Sequence, residues 1–181
     1  MSDLLSELLA TRDYLLADGA TGTNMFAMGL ETGAAPDLWN LEHPDRVAEL
    51  NRSFIEAGAD IILTNTFGAN RYRLALHGDQ NRCREINEAG ARIAREVADV
   101  AGRPVVVAGS MGPTGEIFEP VGTLSEADGA AAFAEQAEGL NAGGVDVLWI
   151  ETISSKEEIN AAVAGSAKTG LPGVATMTFD T

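Results

Sequence analysis

Two carboxylates stand where apolar runs give out. Asp18 closes "LLAD" and is followed by Gly19, Ala20, Thr21, Gly22 and Thr23; Glu151 closes "VLWIE" and is followed by Thr152. An acid behind four apolar residues, as Glu151 is, costs free energy to bury unless it has a partner or a cationic ligand. Two such acids at neighbouring strand mouths suit an ammonium group, and bare backbone amides around Gly19 and Gly22 suit a carboxylate. A site with both features recognises the backbone of an amino acid. Asp-Gly is also a common turn dipeptide, and on that reading Asp18 needs no ligand.

Further polar residues gather at the ends of other apolar runs: Thr64-Asn65-Thr66-Phe67, Ser110-Met111-Gly112-Pro113, and Thr176 to Asp180. Thr64, Asn65 and Thr66 serve equally as strand-end hydrogen-bonders without a ligand. Phe67 serves equally as packing, and Met111 as core or wall. The loops 28–40 and 113–125 are candidates for ligand contact or a lid, and equally for plain surface loops.

The elements that must position these residues alternate along the chain. Runs 14–20, 60–67, 104–112, 145–152 and 172–179 are almost continuously apolar, as strands covered on both faces should be. Between them lie stretches of helical period. Pro44 and Gly58 bracket one, with Val47, Leu50, Phe54 and Ile55 on one face. A second carries Ile86, Ala89, Ile93, Ala94 and Val97; a third, opened by Ser125, carries Ala130, Phe133, Ala134, Ala137 and Leu140. In a fourth, Ser154 and Glu157 have capping-box spacing. An Ala-Gly joint recurs just before a strand at 57–59, 101–103 and 142–144, which marks an internal βα repeat.

Strict alternation without a hairpin means a parallel sheet, either open and doubly wound or part of a (β/α)8 TIM-type barrel. The dinucleotide-binding fingerprint G-x-G-x-x-G is absent from "DGATGT". Polar residues at the C-terminal ends of all five runs favour the barrel, where an active site is built from several such loops. About the first five βα units of the eight are present, in a single domain spanning 1–181.

Composition excludes several classes of partner. Twelve Lys plus Arg against 27 Asp plus Glu give a formal charge of −15, which repels nucleic acid and anionic lipid. The lone Cys83 forms no intrachain disulfide, no run has the length of a membrane span, and "MSDLLSELLATRD" lacks the basic start of a secretion signal. A reducing cytoplasm is the expected compartment.

"LLADGATGTNMF", "PDLWNLEHPDRVAELNRSFIEAGADIILTNTFGANRYRL", "AGSMGPTGE" and "GVDVLWIETISSKEEINAAV", in this order, resemble the homocysteine S-methyltransferase family over residues 14 to 181. The family includes betaine–homocysteine methyltransferases and the homocysteine-binding module of methionine synthase. The resemblance implies a (β/α)8 barrel in which acids matching Asp18 and Glu151 hold the amino group of homocysteine. Amides from about Ala20 to Thr23 take its carboxylate, and Thr64 to Phe67 line the pocket near the thiol. It implies transfer of a methyl group to that thiol, giving methionine, from betaine, S-methylmethionine or a methylated cobalamin or folate.

The reacting species is the thiolate, and a free thiol with a pKa near ~8.5 is mostly protonated at neutral pH. Family members ionise it on zinc held by three cysteines, matched by nothing in this sequence. Those cysteines are expected beyond Thr181, and Cys83, in "NRCREIN", matches none of them. No complete zinc site is therefore expected within 1–181.

Five strands leave bare edges, so the chain is expected to need its C-terminal portion, a partner chain or self-association. The alternative to a methyltransferase is a homocysteine-binding or partner-dependent half-barrel module that catalyses nothing alone. An unrelated aldolase or lyase barrel lacks the strand-end Lys that Schiff-base chemistry requires.

Overall fold

Each strand pairing in the sheet is parallel, in the order of the chain. The computed structural model describes residues 3–179; Asp180 and Thr181, at the end of the last apolar run, lie outside the described residues. The helices are α1 (Leu4–Thr11), α2 (Thr21–Ala27), α3 (Trp39–Glu42), α4 (Pro44–Glu56), α5 (Arg71–Ala75), α6 (Cys83–Asp99), α7 (Glu126–Ala142) and α8 (Lys156–Ser166). The strands are β1 (Ile61–Leu63), β2 (Val106–Met111), β3 (Val147–Ile153) and β4 (Gly173–Met177), side by side in that order. No helix among the described residues is long and apolar enough to cross a membrane.

Alternation along each strand feeds two apolar layers. Ile62, Val107, Leu148 and Ile150 point into the larger core with Ala91, Ala94 and Val97 of α6 and Phe133, Ala137 and Leu140 of α7. Ile61, Val106, Ala108 and Val147 point the other way, where Leu4, Leu5 and Leu8 of α1 cover them. The central strands are thus covered on both faces, which is why their sequences are continuously apolar. β4 differs, being mostly exposed at an open edge, with Phe179 bare just beyond it.

The repeated joint has a physical content that the glycine alone does not exhaust. Gly58, Gly102 and Gly144 all adopt positive φ, at 106°, 71° and 91°, a left-handed stop that L side chains resist. At two of the three joints an acid then ties the strands together. Asp60 accepts from the Leu16 amide at 3.1 Å, and Asp146 from the Val107 amide at 2.8 Å. Arg12 and Arg103 reach Asp60, and Arg95 reaches Asp146.

The first apolar run, expected as a strand, contributes only an isolated parallel bridge between Ala17 and Ile61. The reason lies at Asp18. Ile61 N–H donates to Leu16 and Asp18 N–H donates to Ile61, as a parallel ladder requires. The next rung, from Leu63 N–H, goes to the Asp18 carboxylate at 2.7 Å, so the side chain ends the ladder and the backbone turns away.

One cap also falls a residue later than its spacing predicts. Ser155, not Ser154, caps α8 by accepting from Glu158 N–H. Glu158 is buried and accepts from Thr114 N–H at 2.7 Å and from the Thr114 hydroxyl at 2.6 Å, pinning the 113–125 loop. With Phe118 and Leu124 also buried, that loop is a built part of the fold, not a free lid.

Candidate substrate site

A cleft of about 420 Å³ opens where the strands end. Its wall brings together Asp18, Gly19, Ala20, Thr21 and Gly22, Thr64 to Phe67, Ser110 and Glu151. Thr23 is exposed on α2 and forms no part of the wall. Residues from four separate apolar runs therefore meet in one concavity at the C-terminal side of the sheet.

Asp18 is half-buried, and burial first, then the neighbouring Glu151 charge, push its carboxyl up to about 6 against the lowering effect of the Leu63 amide. Glu151 accepts from the Ser110 hydroxyl at 2.6 Å. It is aimed by an irregularity in β3: the register with β4 shifts between Ile150 and Ile153, and Thr152 holds a φ of 63°. A β-branched residue in the left-handed region is strained, a feature of strands that re-aim a side chain.

The threonines and asparagine of "TNTF" are hydrogen-bonders turned inward. Thr64 and Thr66 hydroxyls pair at 2.6 Å; Ser110 N–H donates to the Thr64 hydroxyl, and the Thr66 hydroxyl donates to the Ser110 carbonyl. Asn65 donates to the Pro36 carbonyl and to Asn40, and Asn40 in turn donates to the Asn65 and Ile86 carbonyls. Gln136 on α7 donates to the Thr66 carbonyl and to Asn87, leaving its own buried Oε1 without a partner. These side chains brace the cleft floor from behind and are occupied there. Phe67, 40% exposed, lies over Gly112, where an added Cβ would stand 2.7 Å from both the Phe67 ring and its carbonyl oxygen.

Two charged residues of the wall escaped the sequence reading. Asp37, in the loop before α3, is buried, accepts from Gly68 N–H at 3.0 Å, and is pushed up to about 6 by that burial. Arg73 comes from α5, which Asn70 caps by accepting from the Tyr72 and Arg73 amides. An acid inside a Gly- and Pro-rich loop and an arginine on a five-residue helix carry no periodic signal; only the fold brings them beside Phe67 and Gly68.

Cys83 is buried, its Sγ donates to the Ala69 carbonyl, and desolvation pushes its thiol up to about 12. His43 stacks edge-on against Trp39, and His77 lines a neighbouring cavity. Among the described residues no three His, Cys, Asp or Glu side chains gather to hold a metal ion. These residues do not fit a zinc centre, so no chemical step is assigned to one here.

Residues 15–181 match the family model described as homocysteine S-methyltransferase. The chain belongs to that family. It is 35% identical over 178 residues to the methionine synthases of Mycobacterium tuberculosis and Mycobacterium leprae, a match that takes in 92% of this chain and 14% of each relative. The homocysteine methyltransferase MmuM from Escherichia coli superposes in its oxidized form with a TM-score of 0.82 at 26% identity, covering 97% of this chain and 65% of that one. Its metallated form gives 0.79, covering 94% and 65%. The chain thus spans about a seventh of the length of these curated relatives and about two thirds of that of the solved structures, and its parallel sheet is similar to that of the MmuM barrel.

Proposed function

We propose that this chain holds homocysteine and forms about the first five βα units of a (β/α)8 barrel, in a protein that methylates the homocysteine thiol to give methionine. The observation that carries the reading is the meeting of Asp18 and Glu151 at one cleft whose adjoining wall is the segment Gly19 to Gly22. The two carboxylates take the ammonium group, and the amides at the start of α2, about Ala20 to Gly22, take the carboxylate. Ionised carboxylates supply charge-assisted bonds, roughly twice as strong as neutral ones. Ser110 fixes Glu151, and the braced strand ends keep the floor from collapsing when the ligand leaves. Stabilisation of the thiolate falls to groups other than Cys83, whose thiol is committed inside the core.

The methyl donor on this reading is betaine, S-methylmethionine or a methylated cobalamin or folate. Calorimetric titration of the full-length protein with homocysteine and with 4-mercaptobutyrate, which lacks only the amino group, tests the reading. Homocysteine binds at least tenfold more tightly if the acids recognise the ammonium. Equal affinities would remove the assignment, and binding without methionine formation in the presence of each donor would reduce the protein to a binding module.

A further inference from the structure

Arg73 is, among the described residues, the one cation in the wall of the cleft, which otherwise carries the acids Asp18, Asp37 and Glu151. Among the described residues, seven other arginines make ion pairs, Arg46 lies over the Trp39 ring, and Arg52, which makes no ion pair, is exposed on α4 away from the cleft wall. The Arg73 guanidinium makes no hydrogen bond or ion pair with a described residue; only its backbone amide is engaged, by Asn70. Asn70 also donates to the Pro113 carbonyl, so the helix that carries Arg73 is anchored to the loop after β2. In that loop Gly115 passes close by: a Cβ there would stand 3.2 Å from the Arg73 stem. The helix that carries the side chain is thus anchored, while the guanidinium makes no ion pair with a described residue.

A second cavity, of about 260 Å³, adjoins the cleft, and the two share Pro36, Asp37, Gly68 and Arg73. Arg73 stands on the ridge between them. Asp37 lies near enough for the Arg73 charge to lower its carboxyl somewhat against the effect of burial, but makes no ion pair with it and instead accepts from the Gly68 amide. A ligand whose ammonium lies at Asp18 and Glu151 leaves Arg73 free for a different anionic group.

We propose that Arg73 and the adjoining cavity form a subsite for a carboxylate on the second substrate, the methyl donor. The inference rests on the homocysteine reading above and names which residue receives the donor. Betaine, S-methylmethionine and a methylated folate each carry such a carboxylate, and a guanidinium binds it through a planar fork of N–H donors. In a chain of charge −15 a local cation favours the entry of an anionic group.

The test uses two thioethers of homocysteine whose sulfur bears the same short alkyl arm, one ending in a carboxylate and the other in a carboxamide. Titrated into the full-length protein, the carboxylate form binds about tenfold or more tightly than the carboxamide, the range of a hydrogen-bonded charge. Arg73→Gln abolishes that preference and leaves the affinity for homocysteine within twofold; Arg73→Lys keeps part of it. Arg73 is exposed, so these replacements leave the fold intact. A preference that survives in Arg73→Gln, or that is missing in the wild-type protein, overturns the subsite. Weakened binding of homocysteine itself in Arg73→Gln also overturns it, by giving Arg73 to the first substrate. Failure of the wild-type protein to bind homocysteine sinks the underlying reading instead, so the two failures are distinguishable.

Discussion

Replacing Asp18 by Asn separates what the acid does for the ligand from what it does to the fold. With its carboxyl raised from 3.8 to about 6, the ionised form is disfavoured in the folded chain. About two units at 1.36 kcal/mol each make that penalty up to roughly 3 kcal/mol at neutral pH. The native state binds the proton more tightly than the unfolded one, so stability falls as pH rises from about 4 to 6 and the penalty is complete above 6. Below the unfolded value both states are protonated and no penalty remains. An Asn carbonyl still accepts from the Leu63 amide, so Asp18→Asn raises the melting temperature at pH 7.5 and not at pH 3.5. Homocysteine, in contrast, loses a charge-assisted bond of about 1.5–3 kcal/mol, or roughly 10- to 150-fold in affinity. Thermal unfolding and calorimetry on the full-length protein read the two effects separately. Unchanged homocysteine affinity would refute the ammonium assignment, and a lower melting temperature at pH 7.5 would refute the burial argument.

Three other expectations follow from local geometry. Gly112→Ala places a methyl group 2.7 Å from the Phe67 carbonyl, a backbone atom that cannot swing aside, and costs about 1–3 kcal/mol in denaturant unfolding. Thr152→Gly relieves a left-handed cost of about 1–2 kcal/mol while adding about 0.5–1 kcal/mol of unfolded-state entropy, a net gain of up to about 1.5 kcal/mol; a loss of stability there would show that the bulge carries no strain. Cys83 stays unlabelled by a thiol reagent at pH 8 until the protein is unfolded, since burial both hides the thiol and keeps it protonated.

The sheet was legible in the sequence because burial on both faces leaves a direct mark: Val106 to Ala108 and Val147 to Ile150 are apolar without interruption. The glycines before the strands were legible because a left-handed stop admits few other residues. Asp18 and Glu151 stood out as acids closing apolar runs, and the fold does bring them to one cleft. Strand-end position alone did not reveal that Thr64, Asn65 and Thr66 face inward, because the same residue types satisfy a buried carbonyl or a ligand equally well; the deciding partners, Asn40, Ser110 and Gln136, lie 25 to 70 residues away. The cap of α8 falls one residue later than Ser154 and Glu157 predict: Ser155 and Glu158 have the same spacing, and the Glu158 carboxylate is taken by Thr114, 44 residues earlier.

The substitution of a carboxylate for a backbone carbonyl at Asp18 makes one side chain a latch. One oxygen fastens the N-terminal segment to Leu63 at the edge of the sheet, and an ammonium ion drawn to the same group holds it ionised and fixes its position. Occupancy of the cleft is thereby transmitted to the seam between residues 15–18 and β1. The Leu63 amide becomes a native reporter, whose hydrogen exchange slows when the substrate arrives.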